Sequence, residues 1–474
     1  MANKMGQISI VGGGVVGLTL LTRLARLLPS HTITLLDGAP RSAPLLSNSD
    51  TATQPTIRTY ALNKASVETL SKCGLSIEES QRKGEYKSMQ VWDSKTPSYL
   101  KFDVSDVGAD AHSSLGVIVE DDYICGNLEK IASNLSNAKI VKGAQVKKVT
   151  SDSVSYSTPV DKTSSSSTSS STSSSSTPNS LNSLDSDLIV GADGFNSTVR
   201  TSLNFPLTKI SYGRTALIST VKADSDETVG TAWQRFFPGG PLALLPLWGG
   251  YYSIVWSTTN DHAEALAEAS PSDFLSTVNE CIGGGPTPIK FSDGSFLPPP
   301  LKSAKNLLDD LVGTMVNGIS LINMNEKFGN SKRFEAPPMI TELSSPRFRL
   351  PLNLQHVDTY HSSSVVLVGD AAHSVHPMAG QGLNLGIADV ECLVKCIESS
   401  VTTGGAVDDE YALERYSNER RKEVLKMMGG IHALHHVFKE ENDLVLTGRA
   451  LGMSLLNMSG TAKRSLARAA MGEP

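Results

Sequence analysis

Gln7–Val11 is a short strand-like run, and Leu18, Leu20, Leu21, Leu24, Leu27 and Leu28 then recur with a helical pattern. Thr32–Leu36 reads as a second strand, ending at Asp37. Strand, helix, strand within the first forty residues predicts a βαβ unit and a parallel sheet. Leu62, Val67 and Leu70 continue as a helical pattern, and residues 86–104 alternate as strands around Met89, Val91, Trp92, Leu100, Phe102 and Val104. A helix is expected over Asp121–Leu135, then strands at Ala138–Val141, Val146–Val149 and Leu188–Val190.

The pattern changes after residue 214. Thr215–Val221, Thr231–Phe237, Leu242–Leu247 and Tyr251–Thr258 are strand-like runs separated by turns such as Pro238–Pro241 and Gly249–Gly250. Consecutive strands with short turns predict an antiparallel sheet, a second architecture beside the βαβ unit. Residues 283–345 are rich in Gly and Pro and read as irregular, apart from a helical stretch near Ala304–Val316. Val365–Val368 is another buried-type strand, and the chain turns helical beyond Leu383. Thr163–Thr177 is almost pure Ser and Thr. It has no apolar surface to bury and is expected to be a disordered loop.

Composition adds exclusions. The 474 residues allow two or three domains, and the formal charge of −6 argues against a nucleic-acid binder. No apolar run reaches the ~18 residues of a membrane-spanning helix. The five cysteines are odd in number and lack C-x-x-C spacing, so neither a disulfide framework nor a metal site is expected. No secretory or transit segment precedes the first strand. Either the protein is not targeted from this end, or a longer precursor carries the leader.

Chemistry concentrates at three strand ends. Gly12, Gly14 and Gly17 form G-x-G-x-x-G between the first strand and helix. Gly12 allows the tight turn, Gly14 lets backbone approach a pyrophosphate, and Gly17 lets the helix pack against the strand. Asp37, 20 residues past Gly17, is placed to accept from ribose hydroxyls. This motif fits FAD or NAD. The second strand end carries Gly191–Arg200 (GADGFNSTVR), with Asp193 and Gly194. The third carries Gly369–Asn384 (GDAAHSVHPMAGQGLN), with Asp370. Open α/β sheets bind ligands at such strand ends, and the helix after Gly380 and Gly382 would favour negative charge at its N-terminus.

In this order and spacing, the three motifs resemble the FAD-dependent aromatic hydroxylases of the para-hydroxybenzoate hydroxylase class, nearly end to end. Met89–Asp93, Leu115–Glu120, Ala232–Leu247 and Val255–Ser257 narrow the resemblance to the eukaryotic mitochondrial ubiquinone-biosynthesis monooxygenases. The Ser-rich tract and the absent leader depart from that pattern.

The resemblance implies an α/β fold: a discontinuous Rossmann-like FAD-binding domain, an antiparallel-sheet substrate domain and C-terminal helices. Residues 1–85, 111–200 (with a loop over 162–180) and 350–415 would bind FAD. Residues 86–110 and 201–349 would form the substrate domain, and 416–474 the helical end. Gly12, Gly14, Gly17 and Asp37 would hold the ADP half of FAD, with Arg58 also on the cofactor. Asp193 and Gly194 would serve the pyrophosphate and reductant access. Asp370 would bind the ribityl side, and Pro377, Gly380, Gln381, Gly382, Leu383 and Asn384 would wrap the isoalloxazine ring. The implied activity is ring hydroxylation of a polyprenylated phenol or benzoate with O2, through a C4a-hydroperoxyflavin. Because the flavin carries the chemistry, no catalytic side chain is expected. A ferredoxin system or NAD(P)H would supply electrons. Partner subunits and a peripheral position on the matrix side of the mitochondrial inner membrane are also implied. Two other readings remain: a hydroxylase of a small soluble aromatic acid, and a non-catalytic prenyl-protein carrier on this fold.

Several residues have plainer roles. His373 and His376 lack the Glu and third ligand of a metal site. His432, His435 and His436 are expected on a helix surface, and Trp233, Phe236, Phe237 and Trp256 in the core. The C-terminal stretch from Asp443 to Met471 mixes Leu with Arg449, Lys463, Arg464 and Arg468. It suits either an anionic lipid surface or packing on its own domain.

Overall fold

The computed structural model describes residues 6–38, 54–107, 114–159, 181–224, 230–286, 334–375, 380–440 and 442–471. The Ser/Thr tract, the stretch Ala304–Val316 and Pro377 lie outside these residues.

A six-stranded sheet runs in the order His361–Ser362, Val365–Leu367, Leu188–Gly191, Gln7–Val11, Thr32–Asp37, Ala138–Lys142. All neighbours are parallel except the first pair. Its central strands are buried on both faces, which is why they read as unbroken apolar runs. Helices in chain order are α1 (Val15–Leu27), α2 (Lys64–Lys72), α3 (Asp121–Ser133), α4 (Thr198–Ser202), α5 (Asn260–Glu268), α6 (Pro271–Gly283), α7 (Gly382–Thr402), α8 (Glu410–Lys439), α9 (Asp443–Met458) and α10 (Gly460–Met471). Leu18, Leu21 and Leu24 of α1, Ile124 and Leu128 of α3 and Val390 and Leu393 of α7 share one core with this sheet.

The second large sheet is mainly antiparallel. The 17-residue strand Leu207–Ala223 pairs with Tyr251–Thr259 on one side and Phe348–Val357 on the other. Phe348–Val357 spans the division drawn at residue 350. Ser88–Asp93 joins the sheet by parallel pairing with Thr231–Phe237. One face packs Trp92, Trp233, Tyr252 and Trp256 against α5 and α6. The other packs Leu100, Phe236 and Leu354 against α8 and α9, where Phe236 stacks on Phe438 at 4.0 Å between centroids. Trp233, Phe236 and Trp256 therefore pack in the core, as expected, and the half-buried Phe237 packs against it.

Some expectations need correction. Leu62 lies on the strand Thr59–Leu62, which pairs with Gly116–Glu120, and not on a helix. The helix begins after it, where Asn63 Oδ1 accepts from Ser66 N at 2.9 Å and caps α2. The long strand starts eight residues before Thr215, at Leu207. Helices α5 and α6 precede the irregular region, and Thr259 and Ser270 cap them, with Pro271 at the first turn of α6.

Two basic residues of the C-terminal helices, Arg449 and Lys463, are used internally. Arg449 Nε lies 2.7 Å from Asp93 Oδ2, both nearly fully buried. Lys463 Nζ pairs with Asp106 Oδ2 at 3.1 Å, and Arg464 Nε donates to Asp106 O at 3.2 Å. Lys463 thus docks α10 on the body of the protein, whereas Arg464 and Arg468 remain exposed. Leu444, Leu455 and Leu466 remain exposed.

Candidate functional site

The three glycine-rich motifs converge at the carboxyl ends of the parallel strands. Gly12 has φ +113°, and its N–H donates to Leu36 O at 2.9 Å. A Cβ on Gly12 would lie 2.3 Å from Ala192 O, so the first and second motifs touch through backbone. A Cβ on Gly17 would lie 1.9 Å from Gly12 O, the close helix–strand approach expected. Val16, in the first turn of α1, packs against Gly369 and Gly386, which brings in the third motif.

Two side chains clamp the second motif to the third. Arg200 donates to Ala371 O (2.9 Å) and Phe195 O (2.7 Å). Gln355 Nε2 donates to Asp370 O and Phe195 O, each at 3.0 Å. Asn384 ties the start of α7 to the strand Thr59–Leu62 and to α2. Its Nδ2 donates to Ala61 O at 2.9 Å, and its Oδ1 accepts from Asn63 N (3.1 Å) and Ser66 Oγ (2.8 Å). The Asn384 amide is therefore engaged within the protein.

Other motif groups are left open. Gly14, Gly194 and Gly382 have nothing within 4 Å of where a Cβ would stand. Neither α1 nor α7 has a side-chain cap or an acidic residue in its first turn, so both N-termini keep their positive ends for an anion. Asp193 Oδ2 accepts from Thr198 N (2.6 Å) and Val199 N (3.2 Å), whereas its buried Oδ1 has no partner. Burial raises the Asp193 carboxyl above its ordinary value, against the pull of the backbone N–H groups of Thr198 and Val199. Asp370 is exposed to solvent yet hemmed in by protein. That crowding raises its carboxyl, while His373 and Arg58 pull it down. Asp37 is buried at the end of its strand, and a Cβ on Gly13 would meet its carboxylate. The Arg58 side chain is 75% exposed, 3.9 Å from Asp121, a loose pairing that leaves the guanidinium able to move. Gln381 stands at the N-cap of α7, Leu383 is half-buried in its first turn, and Gly380 precedes them at φ +61°.

A buried ionic network beneath the third motif was not anticipated from sequence. Asp389, on α7, is fully buried. Its Oδ2 lies 2.6 Å from His373 Nε2 and accepts from Gly369 N at 2.9 Å, while Arg420 Nε of α8 donates to Oδ1 at 2.7 Å. Burial alone would raise this carboxyl. His373 and Arg420 outweigh it and hold Asp389 below its ordinary value. Sequence offered one signal: Asp389 lies four residues from both Leu385 and Leu393, inside an apolar helical stripe. Glu120 makes a second buried centre, accepting from Thr56 N (2.6 Å) and Arg82 Nε (2.8 Å).

Two uncapped helix N-termini, open glycines, an orphaned carboxylate oxygen and an exposed carboxylate, all in the three motifs that follow parallel strands, fit a dinucleotide with a charged pyrophosphate and hydroxyl groups. The family described as FAD binding domain matches residues 5–298 and 333–429. The chain belongs to this family. Ubiquinone biosynthesis monooxygenase COQ6, mitochondrial, of Drosophila melanogaster is 30% identical over 472 residues, covering 98% of this chain and 90% of the relative. The protein of that name from Dictyostelium discoideum is 30% identical over 484 residues, covering 98% and 91%. Among solved structures, p-nitrophenol 4-monooxygenase PnpA from Pseudomonas putida DLL-E4 matches with a TM-score of 0.63 at 16% identity, covering 99% of this chain and 98% of its own. PqsL from Pseudomonas aeruginosa matches with a TM-score of 0.61 at 18% identity, covering 94% and 99%. The fold is thus that of the flavin monooxygenases. The chain is an FAD-dependent monooxygenase.

Proposed function

We propose that the chain inserts one oxygen atom of O2 into the ring of a polyprenylated phenol or benzoate during ubiquinone biosynthesis. The similarity to relatives named for that pathway, over nearly the whole of both chains, carries this reading. FAD supplies the oxygen-activating chemistry when bound. The chain's own residues bind, orient and keep water out.

In this reading Gly12, Gly14, Gly17, Asp37 and Arg58 hold the ADP half of FAD. Asp193 Oδ1 and Gly194 face the pyrophosphate, and Asp370 accepts from ribityl hydroxyls. Gly380, Gln381, Gly382 and Leu383 line the flavin ring, with Pro377 and Asn384 assigned to the same turn. The geometry refines one role. Asn384, its amide already satisfied, holds the turn in place and leaves the backbone around Gly382 to meet the ring. Val375 and Leu385 join the third motif to the apolar cluster of Leu100, Phe236, Leu354 and Met428. That cluster is the proposed dry wall beside the reacting ring, where water would divert activated oxygen.

Asp370→Ala should remove a charge-assisted hydrogen bond to FAD and weaken binding by about 1.5–3 kcal/mol. Titration of the apoprotein with FAD, followed by fluorescence quenching, reads this directly. Unchanged affinity would remove Asp370 from the cofactor site.

The proposed location is the matrix side of the mitochondrial inner membrane, held peripherally, with electrons from a ferredoxin system or NAD(P)H and with partner subunits of the pathway. The relatives are named mitochondrial. Among the described residues no helix is long and apolar enough to cross a membrane. Exposed Leu444 and Leu455 on α9 and Leu466 on α10 offer apolar contact with a bilayer that dissolves the substrate. Turnover of a polyprenyl phenol in vesicles, beside the same phenol without its tail, tests the substrate class. Hydroxylation of the tail-less phenol alone would assign the enzyme to small soluble aromatics.

A further inference from the structure

We propose that Cys392, Cys396 and Glu419 form a binding site for a thiophilic divalent cation of the zinc class, bridging α7 and α8. The two cysteines are four residues apart on α7 and share one helix face, turned toward α8. The Cys392 sulfur lies 3.5 Å from Glu419 Oε2, and both sulfurs and a glutamate oxygen lie within 4.8 Å of one another. Zinc bound by two thiolates at about 2.3 Å and a carboxylate at about 2.0–2.2 Å needs ligand atoms slightly closer than this, within reach of side-chain rotation. Water would take the fourth position.

The surroundings suit the cation. Cys396 is buried, Cys392 half-buried and Glu419 exposed, so the site is anchored inside and open outside. Arg415 Nε donates to Glu419 Oε1 at 3.2 Å, which leaves Oε2 for the metal and offsets the negative charge of three anionic ligands. Binding would release thiol protons to solvent. Glu419 directly precedes Arg420, which grips Asp389 from α8. A metal here would pin the same two helices that carry the network under the third motif.

The test uses reduced, flavin-loaded enzyme stripped with a chelator and then titrated with Zn2+ alone against a chromophoric zinc chelator. The expected result is saturation at one zinc per chain, loss of thiol-reagent reactivity at two of the five cysteines, and a higher melting temperature. Cys392→Ser and Cys396→Ser should each abolish tight uptake. The exposed Glu419→Gln should weaken it about tenfold or more, with flavin content unchanged. Three results would overturn the proposal. One is no saturable uptake. Another is uptake that survives both serine variants. The third is uptake lost instead in His432→Ala/His436→Ala, whose Nε2 atoms lie 3.2 Å apart on α8.

Discussion

Replacing Asp389 by alanine should destabilise the protein by about 3–5 kcal/mol and release FAD. Asp389 is the common acceptor for Arg420, Gly369 N and His373, and none of these groups has water to turn to. Its removal strands a buried guanidinium and loosens the Gly369–Ala371 turn that presents Asp370. Thermal unfolding and the flavin-to-protein ratio of the purified variant measure both effects. Asp389→Asn keeps the shape and removes the charge, which exposes the pH dependence. The folded pKa of Asp389 lies below its ordinary 3.8, so the stability it contributes is present above 3.8 and fades as pH falls through the lower folded value. The part of the wild-type advantage over Asp389→Asn that comes from this carboxylate should therefore shrink in strong acid. An Asp389→Ala variant that keeps its melting temperature and its flavin would show that the network carries no weight.

Gly12→Ala should also prevent cofactor binding, by a different route. The new methyl group would sit 2.3 Å from Ala192 O, and Ala192 N is fixed by its own bond to Val11 O at 2.8 Å. The backbone at φ +113° adds strain for any L side chain. Overpacking costs about 1–3 kcal/mol and the left-handed conformation about 1–2 kcal/mol, so stability and flavin should fall together. Gly14→Ala is the informative partner. Gly14 has φ −70° and open space where its Cβ would stand. This variant should melt within about 1 kcal/mol of wild type yet bind FAD more weakly, because the methyl occupies the pyrophosphate's approach. Unchanged FAD affinity in Gly14→Ala would move the pyrophosphate elsewhere.

The contrast between these sites explains what sequence reveals. The glycine motifs are local: strand, tight turn and helix start lie within a dozen residues, so the spacing of Gly12, Gly14 and Gly17 is visible in the chain itself. The buried-type strands Gln7–Val11, Leu188–Gly191 and Val365–Leu367 are legible for the same reason, as short apolar runs bounded by glycine. The network around Asp389 joins residues 16 and 31 positions away, and its meeting depends on how α7 packs on α8. Only the acidic residue in an apolar stripe hinted at it. The clamps made by Arg200 and Gln355 left no sequence signal, because both act through backbone carbonyls of distant loops. Helices α5 and α6 did announce themselves through Thr259, Ser270 and Pro271, caps that are easily passed over beside a run of strands. Lys463 shows why that stretch allowed two readings: a basic residue near apolar ones looks the same whether it meets lipid or, as here, Asp106.

The most direct test of the proposed activity follows oxygen. Reduced enzyme, with FAD bound and a polyprenylated phenol in vesicles, would be exposed to isotopically labelled O2 and the product weighed by mass spectrometry. A monooxygenase acting on this substrate places one labelled atom on the ring and sends the other to water. Product without label, or peroxide release with the phenol untouched, would contradict it.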